Sequence, residues 1–295
     1  MFNKILNKKL IVITLILSLT MIFMSGCGSE DNSDGDNSSG ETITIGYVNW
    51  AECVAASNIW KVILEDKGYS VELTQLDVAP LYVGLSEGDV DIFLDSWLPI
   101  THGSYWDEYK DTIEDCGIWY QNPAKIGVVV PTYVNIDSLE EFNSVADKFD
   151  NKIIGIDPGA GIMKASESAI GDYDLDAELI QGSEAAMMVS MEKAYEKEEW
   201  IAITGWSPHW MFASYDLKYL EDPNGSYGAE EEIHSLCNKE FANANSEVAD
   251  MIKNFKMTDA QIGGIEKLIQ DGMDPYDAAQ KWIEDNQEVV DTWIK

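Results

Sequence analysis

Arginine is missing altogether from this 295-residue chain. Its 19 basic residues are all lysines, set against 53 acids and three histidines for a formal net charge of −34. The absence removes the guanidinium fork that usually receives carboxylates and phosphates, so any anionic group bound here needs other donors. The charge excludes a nucleic-acid binder, whose surface must neutralise phosphates. Cysteine is scarce as well, with four in the sequence, and the spacings of Cys27, Cys53, Cys116 and Cys237 fit no zinc or redox motif. No apolar run reaches the roughly twenty residues that a membrane-spanning helix requires. What is present is 45% hydrophobic and 11% aromatic residues, including ten tryptophans. That is the make-up of a protein with a packed core, not of a disordered acidic tail, and the length suits one large domain or two lobes.

The first residues read as an address. Lys4, Lys8 and Lys9 precede a short apolar run over 10–24, and Ser25-Gly26-Cys27 follows. A basic start, a greasy segment and small residues before the cut predict a secretory signal peptide over 1–26. Small residues directly before a cysteine resemble a bacterial lipobox, although Met24 stands where leucine is commoner. The expectation is a lipid anchor on Cys27 and a lipidated, flexible tether over 27–41, whose stretch 28–40 has no apolar residue. Removing the signal takes away three lysines, leaving 16 against 53 acids and a charge of −37. The other three cysteines cannot all pair. Small buried hydrophobes are the expectation, with one disulfide left open.

Beyond the tether the pattern is α/β. Strand-like composition over 42–48, helical spacing over 54–66, a strand over 71–76, a short helix over 81–87 and a strand over 90–94 give β-α-β-α-β, hence parallel strands with right-handed crossovers. An apolar, β-branched run at 125–131 reads as a connecting strand. A second alternation follows: helix 139–149, strand 152–156, helix 162–170, strand 178–180, helix 185–196 and strand 200–204. From residue 246 the chain reads as helical. Two such halves predict two lobes, each a mostly parallel sheet flanked by helices, with a ligand cleft beyond the carboxyl ends of the strands.

Three of those strand ends carry a tryptophan, namely Trp50, Trp97 and Trp206. Any one tryptophan is more readily explained as core packing, but three at strand ends can form a box of electron-rich faces. Such a box attracts a quaternary ammonium, which offers no hydrogen-bond donor, by about 0.5–2 kcal/mol per ring. Trp60, Trp119, Trp200, Trp282 and Trp293 fall in apolar patterns and read as packing; Trp106 and Trp210 stay unassigned. The fourth end, Gly159-Ala160-Gly161, opens a helix and offers free backbone N–H groups with the positive end of a helix dipole. By itself it is equally a tight turn, and it matches neither a P-loop nor a dinucleotide fingerprint. His102 adds a second candidate donor, or else caps a helix or packs in the core. Cation box and anion receptor together describe a small zwitterion.

The segments IGYVNW, DIFLDSWLPITH, GIDPGAGIM and TGWSPHWMF resemble the glycine betaine-binding proteins of bacterial ABC importers, over essentially the whole chain after the tether. The resemblance implies a two-lobed periplasmic-binding-protein fold of type II that closes around its ligand. It implies a tryptophan prism of Trp50, Trp97 and Trp206 for the trimethylammonium group. The carboxylate then falls to the N–H groups of Gly161 and Ile162 and to His102. It implies no catalytic residue, metal or cofactor. The expected ligand is glycine betaine, proline betaine or carnitine, and the expected partners are a membrane permease and its ATPase subunits. The expected location is the outer face of a bacterial cytoplasmic membrane, held there by the N-terminal lipid. The matching lobe division is 42–130 with 226–295 for lobe one and 131–225 for lobe two, hinged near 128–131 and 231–236. Three rival readings are a choline receptor, an extracellular hydrolase using Cys53 and His102, and a tryptophan-lined sugar-binding protein.

Overall fold

The computed structural model describes residues 42–295. The assigned signal peptide, Cys27 and the tether lie outside the described residues. In chain order the strands are β1 (Thr42–Tyr47), β2 (Ser70–Gln75), β3 (Ile92–Leu98), β4 (Ile113–Ile118), β5 (Lys125–Pro131), β6 (Lys152–Ile154), β7 (Glu178–Ile180), β8 (Ile203–Ser207), β9 (Leu217–Tyr219) and β10 (Glu232–Asn238). They form two five-stranded sheets, ordered β2-β1-β3-β10-β4 and β7-β6-β8-β5-β9.

Each sheet is mixed. In the first, β1 runs parallel to β2 and β3, as the β-α-β reading requires, while β10 is antiparallel to both β3 and β4. In the second, β6 is parallel to β7 and β8, and β5 is antiparallel to β8 and β9. All seven residues of β3 are buried, because a central strand is covered on both faces. Its two polar members are hydrogen-bonded inside the core: Asp95 accepts from the Trp97 indole through one carboxyl oxygen, and Ser96 shares a 2.6 Å hydrogen bond with the Tyr82 hydroxyl. Helix α1 (Ala51–Asp66) lies over this sheet and is itself covered by the C-terminal helices α9 (Asp259–Gln270) and α10 (Pro275–Asp285). That cover explains why most of α1 is buried rather than one stripe of it.

Several expected boundaries move. The lobe division expected from the sequence puts the strand at 125–131 in the first lobe as far as residue 130, yet all of β5 is hydrogen-bonded within the second sheet, with Val128 opposite Thr204 and Val130 opposite Lys218. The chain therefore crosses between lobes over 119–124 and returns over 220–231. The two crossings meet at Ala124 and Glu231, whose N–H and C=O groups exchange bonds of 2.9 and 2.8 Å. Of the expected return hinge at 231–236, only its first residue lies at the crossing; the rest is β10, inside the first sheet. The expected helix at 139–149 is instead two 3₁₀ turns, Leu139–Ser144 and Ala146–Phe149, broken at Val145 (φ −140°). Its apolar residues come in pairs three apart, Leu139 with Phe142 and Ala146 with Phe149, which is the spacing a 3₁₀ turn stacks on one face.

Candidate functional site

The strands that deliver the tryptophans run further than expected. Trp97 and Trp206 do not follow their strands but occupy the last turns of β3 and β8, held in register opposite Ile233 and Ile126. Trp50 sits at the N-cap of α1 in extended conformation (φ −107°, ψ 147°). The three indoles line one cavity. Glu52, Thr101 and His102 complete the wall from the first lobe; Ile126, Ile156, Ala160, Gly161 and Ile162 do so from the second. All six residues expected in the site, Trp50, Trp97, Trp206, His102, Gly161 and Ile162, therefore meet there. Trp106 and Trp210 are not among the lining residues, and neither is Cys53.

His102 is fully buried, and the backbone N–H of Trp97 donates to its Nδ1 at 3.0 Å. An accepting Nδ1 places the ring proton on Nε2. That Nε2–H has no partner among the described residues. Burial lowers the His102 pKa to about 3, so the ring is a neutral donor. A buried donor without an acceptor costs about 1–3 kcal/mol, which marks a place where an acceptor from outside is needed. Across the cavity, helix α4 (Gly161–Asp172) begins with no side chain capping it, so the N–H groups of Gly161 and Ile162 have no intrahelical partner. A β-carbon on Gly161 would lie 2.4 Å from the Thr101 carbonyl oxygen. Only glycine lets this helix start approach the first lobe so closely.

The indole edges are fixed by carboxylates. Trp97 Nε1 donates to Asp95 at 2.9 Å, and Trp206 Nε1 donates to Glu52 at 2.9 Å across the cleft. Burial raises the Asp95 carboxyl to about 7, opposed by the Trp97 hydrogen bond. Burial likewise holds Glu52 well above the usual carboxylate range, reinforced by the negative charges of Asp95, Glu184 and Glu266 and opposed by the Trp206 indole. Further bonds join the lobes: Ala51 N–H donates to Glu184 at 3.0 Å, and the Tyr105 hydroxyl reaches the Gly159 carbonyl at 3.4 Å. The lobes are in the closed arrangement.

Glu52 and Thr101 were not anticipated. Thr101 is held by Glu231, which accepts from the N–H groups of Ile100 and Thr101 at 2.7 Å each and from the Thr101 hydroxyl. Cys53, the nucleophile of the hydrolase reading, is wholly buried; it accepts from Val48 N–H at 3.4 Å, and burial pushes its thiol well up. It does not line the site cavity and is not a thiolate. Trp210 packs beside His209, ring centroids 5.3 Å apart.

Residues 41–285 match the family described as the substrate binding domain of ABC-type glycine betaine transport systems. A glycine betaine/carnitine transport binding protein of Listeria monocytogenes is 39% identical over 152 residues, 50% of this chain and 51% of that protein. The chain thus matches about half of that relative's length. Among solved structures, lactococcal OpuAC in its closed-liganded conformation with glycine betaine superposes with a TM-score of 0.81 at 37% identity, over 86% of this chain and 100% of that one. The glycine betaine/L-proline-binding protein of Borrelia burgdorferi gives a TM-score of 0.82 at 34% identity, over 86% and 97%.

Proposed function

The chain belongs to the family of substrate-binding domains of ABC-type glycine betaine transport systems, and from that membership we propose that it captures glycine betaine, or a close quaternary-ammonium zwitterion, for import. The observation that carries this reading is the unpartnered Nε2–H of His102 in the same cavity as three indole faces. The trimethylammonium group sits against Trp50, Trp97 and Trp206. The carboxylate accepts from His102 and from the N–H groups of Gly161 and Ile162. A ligand of zero net charge also suits the electrostatics: the ring of His102 is neutral, and burial favours the neutral form of Glu52. A cation such as choline offers a single neutral hydroxyl oxygen where a zwitterion offers a carboxylate, and so matches the three donors of His102, Gly161 and Ile162 less fully.

Capture follows from closure about the paired crossings at Ala124 and Glu231. The closed form then presents itself to a permease driven by its ATPase. We further propose that the mature protein is tethered by a lipid on Cys27 at the outer face of the bacterial membrane. Calorimetric titration with glycine betaine, proline betaine, carnitine, choline and a neutral sugar tests the ligand. The zwitterions are expected to bind more tightly than choline, and the sugar not at all; tighter choline or sugar binding overturns the reading. Cys27→Ser is expected to release the protein into the medium, which cell fractionation detects.

A further inference from the structure

The first sheet holds two thiols that the ligand cavity does not use. Strand β10 pairs Ser235 with Gly117 and Leu236 with Asp115, so Cys116 is the extra residue of a bulge in β4. Bulges re-aim the side chain they carry. Here the Cys116 thiol donates to Cys237 on β10, with the two sulfurs 3.1 Å apart and both side chains buried. Metal binding does not account for the pair: among the described residues no group of three or more His, Cys, Asp or Glu side chains is placed to hold an ion. Simple packing does not require two sulfurs to face one another.

We propose that Cys116 and Cys237 are joined by a disulfide in the working protein, made by a small disulfide oxidant outside the cytoplasm. The location rests on the proposed function; the pairing does not. In the reaction the two thiols give up two electrons and two protons, one S–S bond forms between the strands, and the S–S bond of the oxidant breaks to give two thiols. The sulfurs must approach by roughly 1 Å to reach the ~2.05 Å of a disulfide, which side-chain rotation supplies. Retention of its proton in the hydrogen-bonded contact with Cys116, then burial, holds the Cys237 thiol well above its ordinary pKa. Exchange in the folded protein is therefore slow, and the bond forms while the strands are still accessible. Cys53 is left as a thiol.

The link spans 121 residues of sequence and brackets every strand of the second sheet. It ties β4, from which the chain leaves the first lobe, to β10, by which it returns. Closing so long a loop restricts the unfolded chain strongly, while the ligand cavity lies elsewhere.

The test is thiol mapping of the full chain, refolded with oxidised glutathione, denatured and alkylated without reductant. Peptide masses are expected to show Cys116 linked to Cys237 and Cys53 alkylated. Reduction is expected to lower Tm by roughly 5–15 °C and to change betaine affinity less than about twofold. Cys237→Ala is expected to abolish that response of Tm to reductant, and Cys116→Ser to do the same should the first variant fold poorly. Alkylation of both Cys116 and Cys237 after oxidative refolding overturns the proposal, as does a link from either to Cys53. Loss of betaine binding with the link intact would instead count against the proposed ligand.

Discussion

Two groups of tryptophans divide the labour of this molecule. In the first lobe, Trp60, Trp282 and Trp293 stack with Phe255 and Trp119 in a continuous aromatic cluster. Ring centroids there are 6.4 Å apart for Trp60–Trp293, 6.0 Å for Trp282–Trp293, 4.9 Å for Phe255–Trp293 and 5.1 Å for Trp119–Phe255. Each ring there packs against at least one other ring of the cluster. At the cavity, Trp50, Trp97 and Trp206 are nearly as buried, but among the described residues none of the three packs against another: Trp50 stacks on His102 at 5.8 Å, and Trp206 meets His209 edge-on at 4.8 Å. Two of them are gripped by the edge, through N–H bonds to Asp95 and Glu52, which leaves ring faces for a guest. Burial alone does not separate the two groups. What separates them is that the second group turns toward a shared cavity while the first packs only within the protein.

That contrast can be broken in one experiment. Trp293→Ala is expected to cost about 3–5 kcal/mol of stability while betaine affinity stays within about threefold. Trp97→Ala is expected to lower affinity by at least about 100-fold, roughly 2.7 kcal/mol, with the smaller loss of stability. Urea unfolding and calorimetry on both variants supply the comparison; equal affinity losses would dissolve it. Gly161→Ala removes no ring, but its methyl would meet the Thr101 carbonyl across the cleft. Affinity is expected to drop by at least about tenfold, with Tm of the unliganded protein nearly unchanged.

A third test uses pH to probe the carboxylate grip. Asp95 titrates near 7 when folded because it is buried, against about 3.9 unfolded. Between those values the folded chain keeps a proton that the unfolded chain has released, so the Asp95 contribution falls as pH rises from about 4 to 7. His102, lowered to about 3 by burial, acts in the opposite sense below about 6.5, where the unfolded chain gains the proton. Asp95→Asn keeps an acceptor for the Trp97 indole and removes only the first effect. Its stability relative to wild type should therefore rise between pH 5 and pH 8, as read by urea unfolding at each pH; an unchanged difference would refute the assignment. The smallest effect is expected from Trp106→Ala, at a partly buried indole outside the cavity, with affinity within about twofold.

Much of this was legible in the sequence because it is local. Strand followed by helix gave the order of elements, and tryptophans clustered at strand ends with a glycine turn gave the cavity wall. What was not legible depends on distant pairing. The segment that becomes β10, EIHSLCN, has a charged start and polar interior, and only its insertion between β3 and β4 makes it a buried strand. Glu52 reads locally as an acid in the first turn of a helix, where a surface carboxylate complements the dipole. Its burial against Trp206, 154 residues away, has no local signature. The same holds for β5, whose apolar run says strand but not which sheet.

Glu231 joins two structures that are usually separate. Its backbone forms half of the bridge on which the lobes are strung, and its side chain straps the loop at Ile100 and Thr101, directly before His102. The pivot and the wall of the pocket are thus one mechanical part. Any rotation about residues 124 and 231 would therefore be felt at the loop before His102, so that opening the cleft and releasing the histidine donor are expected to be coupled.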